Sequence, residues 1–364
     1  VTPKEVIFNN TVAKAYSLTG TGKISGAGTL IKRNTGTVTI SSLLNDYTGV
    51  TRIEGGTLSI DSLTNGGVAG AIGAATSAST NLVLAGGTLT YTGAATTSDR
   101  GFMIDAANSV INISNSLTLT GNITTGFVGT LNKAGAGTLT IAGLGTNAIG
   151  STGSVNRVSA GTLVFDGSAG TQTNNVLAEL WVAETPDVPA NLTLLKTTVT
   201  MPGWMAVARG NGDNGVCNIS LTDSTLNVGS FSAGFNNGLA NNGSETFITQ
   251  NNSSFTNTGT THLAENTGST VDWQLTNASV YTSGNTFNIG GAGTGTAVVT
   301  VKDTSSIVKN GAGTMVIGNA GIGTLNLENN STLTVGNNET YVGNAGATTQ
   351  GFLNIKDNAT ANFG

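Results

Sequence analysis

Thr138–Ile141 reads Thr-Leu-Thr-Ile, and the same alternation of apolar and small polar residues runs through Leu325–Leu327, Leu333–Val335 and Leu353–Ile355. A period of two sends successive side chains to opposite faces, so each stretch predicts a half-buried β-strand. Glycine clusters and Asn-Ser pairs stand between these strands and supply turns, because Gly and Asn tolerate positive φ. Helices are disfavoured throughout: Gly, Thr, Asn, Val and Ile stand where periodic Leu, Ala, Glu and Lys would be needed.

The alternation is organised into repeats. Gly-Thr-Leu recurs at 28–30, 56–58, 87–89, 129–131, 137–139, 161–163 and 323–325, with Gly-Thr-Met at 313–315. The steps from Leu30 to Leu58 and from Leu58 to Leu89 are similar but unequal, which reads as one repeat per coil with slippage. The second half keeps a different phrase, a small pair before one apolar anchor. The anchors are Val199, Leu226, Phe255, Val280, Ile307, Leu333 and Ala361, at gaps of 27, 29, 25, 27, 26 and 28. Asn252, Asn277, Asn330 and Asn358 stand three residues before their anchors, with Asp223 and Thr304 in the same place, and GNAG recurs at 318–321 and 343–346.

A unit of ~27 residues made of short strands and tight turns buries its apolar face only against its own copies. The expected fold is therefore all-β, a right-handed parallel β-helix (β-solenoid) of about 13 coils of roughly 25–30 residues. A propeller would need blades of ~40–50 residues and antiparallel hairpins. Three segments are expected within one continuous solenoid: 1–177 built from GxGTL repeats, 178–204 irregular, and 205–364 with regular ~27-residue repeats. The middle segment breaks style, holding Pro186, Pro189 and Pro202, the tryptophans Trp181 and Trp204, and the acids Glu179, Glu184 and Asp187. It reads as a register adjustment or loop, with a protruding contact surface as its functional alternative.

Composition removes several function classes. Only 9% of residues are charged, against roughly 25% in an ordinary domain. The net charge is −5 and the 14 Lys and Arg form no run, so a nucleic-acid partner is not expected. No apolar stretch approaches the ~20 residues of a membrane-spanning helix, so no membrane insertion by this segment is expected. Cys217 stands alone, which leaves no intrachain disulfide.

Candidate chemistry is thin. Gly210–Gly215 fits GxGxxG, but Val216–Leu221 after it is a strand, where a dinucleotide site needs a helix. Gly20–Ser25 echoes a P-loop yet has Ser17 in place of the first glycine and Ile24 after the lysine. Arg209–Asn214 places its single Asp at the wrong spacing for a calcium turn. Asp303 and Asp357 share a register column with Asn329 between them. Two coils, ~9.6 Å, lie close to inverting-glycosidase spacing, but each precedes a turn, where short polar residues ordinarily sit. His262, the single histidine, reads as a surface residue and Cys217 as a core residue. Thr-x-Thr pairs raise ice binding, which needs both columns to persist; in the later units only the first does (Thr225/Asn227, Ser279/Tyr281, Ser306/Val308). Asn-x-Ser/Thr triplets such as Asn191–Thr193 arise by chance in so Asn-rich a chain. No catalytic, cofactor-binding or metal residue is assigned, no cofactor is expected, and the chain is expected not to be an enzyme.

The phrases KAGAGTLTIAG (133–143), KNGAGTMVI (309–317) and YTGVTRIEGGTLSI (47–60) resemble the passenger-associated β-strand repeat of bacterial autotransporters. That pattern is a Gly-x-Gly-Thr-Leu strand, an Asn/Tyr-Thr-Gly turn and a Gly-Gly-Thr-Leu strand. Residues 20–60 fit it well, 82–92 and 131–165 in part, and 205–364 loosely; Asn45, Tyr47, Thr48 and Gly49 carry the turn in the first of these. The resemblance implies an extracellular or cell-surface bacterial β-helix. The leading expectation is a non-enzymatic structural rod, a subunit or shaft of a surface filament; the alternative is an adhesin passenger domain that binds glycan or protein. A β-helical carbohydrate-active enzyme comes last. Asn362–Gly364 closes the chain within a repeat and without a polar cap, so either more chain follows or another copy covers the end; in the latter case head-to-tail stacking is expected, with Val6–Phe8 helping to cover a neighbour.

Overall fold

Alternation with a period of two becomes stacked strands only if every coil returns in register with the last, and it does. The computed structural model describes residues 1–41, 43–185, 187–209, 215–234, 243–291, 294–344 and 349–364. They form a parallel β-solenoid of about 13 turns, divided into two units, Val1–Ala178 and Glu179–Gly364. Among the described residues one 3₁₀ turn, Ser79–Asn81, is the only helical element, and an isolated bridge between Asn45 and Gly70 the only antiparallel pairing.

In the first unit, one sheet stacks Glu5–Asn9, Thr29–Arg33, Thr51–Ile53, Leu82–Leu84, Phe102–Ile104 and Ile123–Thr125. Val6–Phe8 thus pairs with Leu30–Lys32 of its own chain. A second sheet brings Val38 beside Leu58, Leu58 beside Leu89 and Leu89 beside Ile111. A third brings Leu117 beside Leu139 and Leu139 beside Leu163. Leu58, Leu89, Leu117, Leu139 and Leu163 are all buried, and the threonines between them half-buried. In the second unit the coils carry two or three strands each, the long Thr198–Val207 and Thr225–Ala233 covering two sides; Leu192, Ile219, Ile248, Trp273, Val299, Leu325 and Leu353 follow one another along one column.

Three expectations need correction. The Gly-Thr-Leu phrase does not mark one position per coil. Leu30 pairs with Thr51 in the first sheet, Leu58 and Leu89 belong to the second, and Leu139 and Leu163 to the third. The phrase encodes a strand start (a turn, an outward Thr, an inward Leu) wherever one occurs. Coil length in this unit is consequently uneven: the coil from Val38 to Leu58 is far shorter than the next, from Leu58 to Leu89.

Val280 is not a core anchor. It pairs with Ser254 and Ser306 on the outer face, while Tyr281 takes the column between Phe255 and Ile307 and is fully buried. The turn before it has gained a residue. Positive φ falls three residues before the anchor at Lys196, Asp223 and Asn252, but four before it at Asn277, Asp303, Asn329 and Asp357. Asn330, Asn358 and Thr304 therefore lie one place beyond the left-handed position. Short Asn and Asp occupy that position because their side chains bond locally and lower the cost of αL.

The stretch 178–204 carries strands of its own, Glu179–Val182, Ala190–Leu195 and the first part of Thr198–Val207, each in register with the next coil. Its prolines fit because they avoid ladder positions: Pro189 precedes a strand, Pro202 sits at a bulge between Met201 and Trp204, and Pro186 lies outside the described residues.

Candidate functional site

The Gly-rich phrases resolve into joints that hold a buried cation. Lys133 is fully buried. Its Nζ donates to the carbonyl oxygens of Ala134 (3.2 Å), Gly135 (2.7 Å), Gly137 (2.5 Å) and, one coil on, Ala160 (2.9 Å). Gly135 adopts φ 75°, which brings its carbonyl round to the ammonium, and a Cβ on Gly137 would lie 2.0 Å from the Asn115 carbonyl oxygen. Lys32 and Lys309 repeat the arrangement. Lys32 Nζ donates to the carbonyls of Arg33, Asn34 and Gly55, and Lys309 Nζ to those of Gly311 and Ala312. Burial pushes all three ammonium groups below the usual lysine range, Lys133 to about 8. An ammonium taken from water costs several kcal/mol (order ~5) unless donors find acceptors, and here carbonyl dipoles supply them. The hydrophobic pattern does not single these lysines out, although each stands four residues before Gly-Thr (Lys32/Gly36, Lys133/Gly137, Lys309/Gly313).

The Asn-x-Tyr-Thr-Gly turn is equally internal. Asn45 Oδ1 accepts from the Ile24 amide at 2.9 Å, and its Nδ2 donates to the Ala71 carbonyl at 3.0 Å. Tyr47, fully buried, lies 2.7 Å from Thr51 Oγ1 through its hydroxyl. Arg100, 2% exposed, pins the long excursion after Leu63 by donating to the carbonyls of Thr64, Asn65, Gly73 and Ala75. All these groups tie a turn or loop to the backbone or side chains around it.

The remaining candidates lie in separate local networks. Asp303 and Asp357 do share a column, but Asp303 accepts from the Asn277 amide and Asn329 Nδ2, and Asp357 from the Asn329 amide. His262 sits in the strand Thr261–Leu263, its Nδ1 3.0 Å from Asn288 Nδ2 of the next coil. Cys217 is buried, and desolvation pushes its thiol up. Lys23 of the P-loop-like stretch pairs with Asp46 at 2.5 Å. Residues 210–214, and with them the GxGxxG and calcium-turn candidates, lie outside the described residues, as do 345–346 of the second GNAG. Outward Thr/Ser pairs persist over three coils (Thr37/Thr39, Thr57/Ser59, Thr88/Thr90) and then give way to Val110/Asn112. Among the described residues no group of three or more His, Cys, Asp or Glu could hold a metal ion, and no helix is long and apolar enough to cross a membrane.

One outer surface differs from the rest. Trp181 and Trp204 stand half-buried on adjacent coils, each next to an inward partner, Leu180 and Met205, that faces the core. Their rings meet edge to face, 6.5 Å apart at 73°. The Arg209 guanidinium lies 3.5 Å over the Trp181 ring and 5.0 Å from that of Trp204. Trp181 Nε1 donates to Glu179 Oε2 at 2.8 Å. Outward positions of the neighbouring strands carry mostly Thr, Ser, Asn or Gly; here strands carry two indoles.

A parallel β-solenoid with Gly-x-Gly-Thr-Leu strand starts and a buried Asn-x-Tyr-Thr-Gly turn is consistent with an autotransporter passenger β-helix. The chain is similar to the adhesin BmaC autotransporter of Brucella suis biovar 1 (strain 1330), with 37% identity over 150 residues. The match covers 38% of this chain and 4% of that protein's length. No family model matches the chain, and no solved structure matches it.

Proposed function

We propose that this chain is an adhesin-like passenger segment of a bacterial autotransporter, displayed at the cell surface or outside the cell, that works by contact and not by catalysis. The observation that carries this reading is the similarity to an autotransporter named as an adhesin. The fold supports it: most apolar residues and the buried cations are spent on stacking coils, and the outward strand positions carry largely hydroxyl and amide side chains. We place this ahead of the end-to-end filament and the carbohydrate-active enzyme because the relative's name speaks for adhesion alone. Beads coated with the purified 364-residue chain are expected to attach to cells, and soluble chain to compete that attachment away. Beads that attach no better than albumin-coated controls would sink the reading.

A further inference from the structure

We propose that Asn310 is a modification site, where the Gly311 amide nitrogen attacks the asparagine side chain and slowly converts it to isoaspartate, loosening the joint around Lys309. Asn-Gly stands six times in the chain. The pairs at 211–212, 214–215, 237–238 and 242–243 lie wholly or partly outside the described residues, which leaves Asn65–Gly66 and Asn310–Gly311. Both asparagines are exposed, and in both pairs glycine leaves the attacking nitrogen unshielded. What separates them is the partner of the amide proton. The Gly66 amide donates to Asp99 Oδ1 at 2.6 Å, and Asn65 Oδ1 accepts from the Asp99 amide at 3.1 Å. The Asn65 carbonyl accepts from Arg100 Nη2 at 3.3 Å. Nucleophile and electrophile are thus both committed to Asp99, and its carboxylate keeps the proton on the nitrogen. Asn310 has the opposite setting. Its side chain makes no hydrogen bond among the described residues, and the Gly311 amide donates none. Lys309 Nζ donates to the carbonyls of Gly311 at 2.7 Å and Ala312 at 3.0 Å. A cation so placed favours negative charge on the Gly311 nitrogen.

The step balances with water alone. Solvent base removes the Gly311 amide proton, the nitrogen bonds to Asn310 Cγ, the Cγ–Nδ2 bond breaks and ammonia leaves. Water then opens the succinimide at either carbonyl, giving aspartate or, with the main chain routed through Cγ, isoaspartate. The isoaspartyl chain is one carbon longer. It has no room here, because Gly311 packs so closely on the preceding coil that a Cβ would collide with the Gly284 carbonyl oxygen. The hydrogen bond from the Asn310 amide to the Ser283 carbonyl, and the carbonyls gathered by Lys309, are therefore displaced.

The test ages the full 364-residue chain in mildly alkaline buffer, folded and unfolded in urea, with peptide mass mapping and isoaspartyl methyltransferase labelling at both pairs. In the folded chain Asn310 is expected to convert about tenfold faster than Asn65, or more, and in urea the two rates are expected to converge. Asp99→Ala, which frees the Gly66 amide, is expected to raise the rate at Asn65 by about tenfold; if that variant does not fold, convergence in urea decides. Aged chain is expected to exchange amide hydrogen faster in Ser306–Lys309 and Met315–Ile317, and Asn310→Gln to abolish the change. Asn310 left intact while the unfolded chain converts, or Asn65 converting as fast as Asn310 in the folded chain, overturns the assignment. Conversion at Asn310 without faster exchange in those strands overturns the loosening.

Discussion

The two units close the same kind of coil with a different balance of buried cations and stacked rings. The first holds three buried cations, Lys32, Arg100 and Lys133, each donating to several main-chain carbonyls, where the described part of the second holds one, Lys309. The second holds rings inside. Phe231, Phe255, Trp273, Tyr281 and Phe287 form a continuous series with neighbouring centroids 4.6–5.4 Å apart, except Phe231 to Trp273 at 6.1 Å. Coil length explains the contrast. Coils of the second unit keep a nearly constant length, so Ile219, Ile248, Trp273, Val299 and Leu325 succeed one another at almost even steps. Like side chains therefore stack on like. A buried serine column follows the same rule: the hydroxyls of Ser253, Ser279 and Ser305 each accept from the amide of the serine one coil before, at 3.0–3.2 Å. In the first unit a short coil, Val38 to Leu58, is followed by a long one, Leu58 to Leu89, so turns stray from one another and carbonyls lose their ladder partners. A long cationic side chain that gathers three or four of them restores the pairing.

That contrast can be broken by substitution. The largest effect is expected from Trp273→Ala, a loss of about 3–5 kcal/mol for a large buried ring, seen as earlier unfolding of the second unit in urea. Arg100→Met comes next. It leaves the carbonyls of Thr64, Asn65, Gly73 and Ala75 without their donor, and a loss of about 3 kcal/mol is expected, with proteolysis appearing at 64–75. Lys133→Met keeps the volume of the side chain and removes the charge. It is expected to cost about 1–3 kcal/mol, because the orphaned carbonyls weigh more than the desolvation relieved. Ser279→Ala removes one step of the serine column for about 1 kcal/mol, read as faster amide exchange at Ser253.

The smallest effect is a pH slope. Burial lowers Lys133 from 10.5 to about 8, so between those values the unfolded chain holds the proton that the folded chain has released. Stability contributed by this site is expected to rise with pH across the window. Urea midpoints measured from pH 8 to pH 10 would show the rise in the parent chain and its absence in Lys133→Met.

Much of this was legible in sequence. Alternation and turn chemistry specify a stacked parallel solenoid, and the odd composition of 178–204 marks the outer surface that carries the two indoles. Register was harder to read. Gly-Thr-Leu describes how a strand begins, so Leu30 and Leu58 look equivalent while lying in different sheets. Val280 and Tyr281 are both acceptable core residues, and only the extra turn residue at Asn277–Ala278, both at positive φ, decides between them. The buried lysines were hidden for another reason. An apolar/polar pattern assigns lysine to solvent, yet Lys133 stands in an inward column between Ile111 and Val158. The fixed spacing to Gly-Thr was its only trace.

The central claim, that the coils around Lys133 are held by a buried cation and those around Trp273 by stacked rings, is tested most directly by hydrogen–deuterium exchange of the full chain with Lys133→Met and Trp273→Ala. Lys133→Met is expected to speed exchange in Leu131–Ala134, Thr138–Ile141 and Gly161–Asp166 and to leave Glu245–Asn251 and Thr296–Val301 protected. Trp273→Ala is expected to do the opposite. Unchanged protection around Lys133 in the methionine variant would contradict the account.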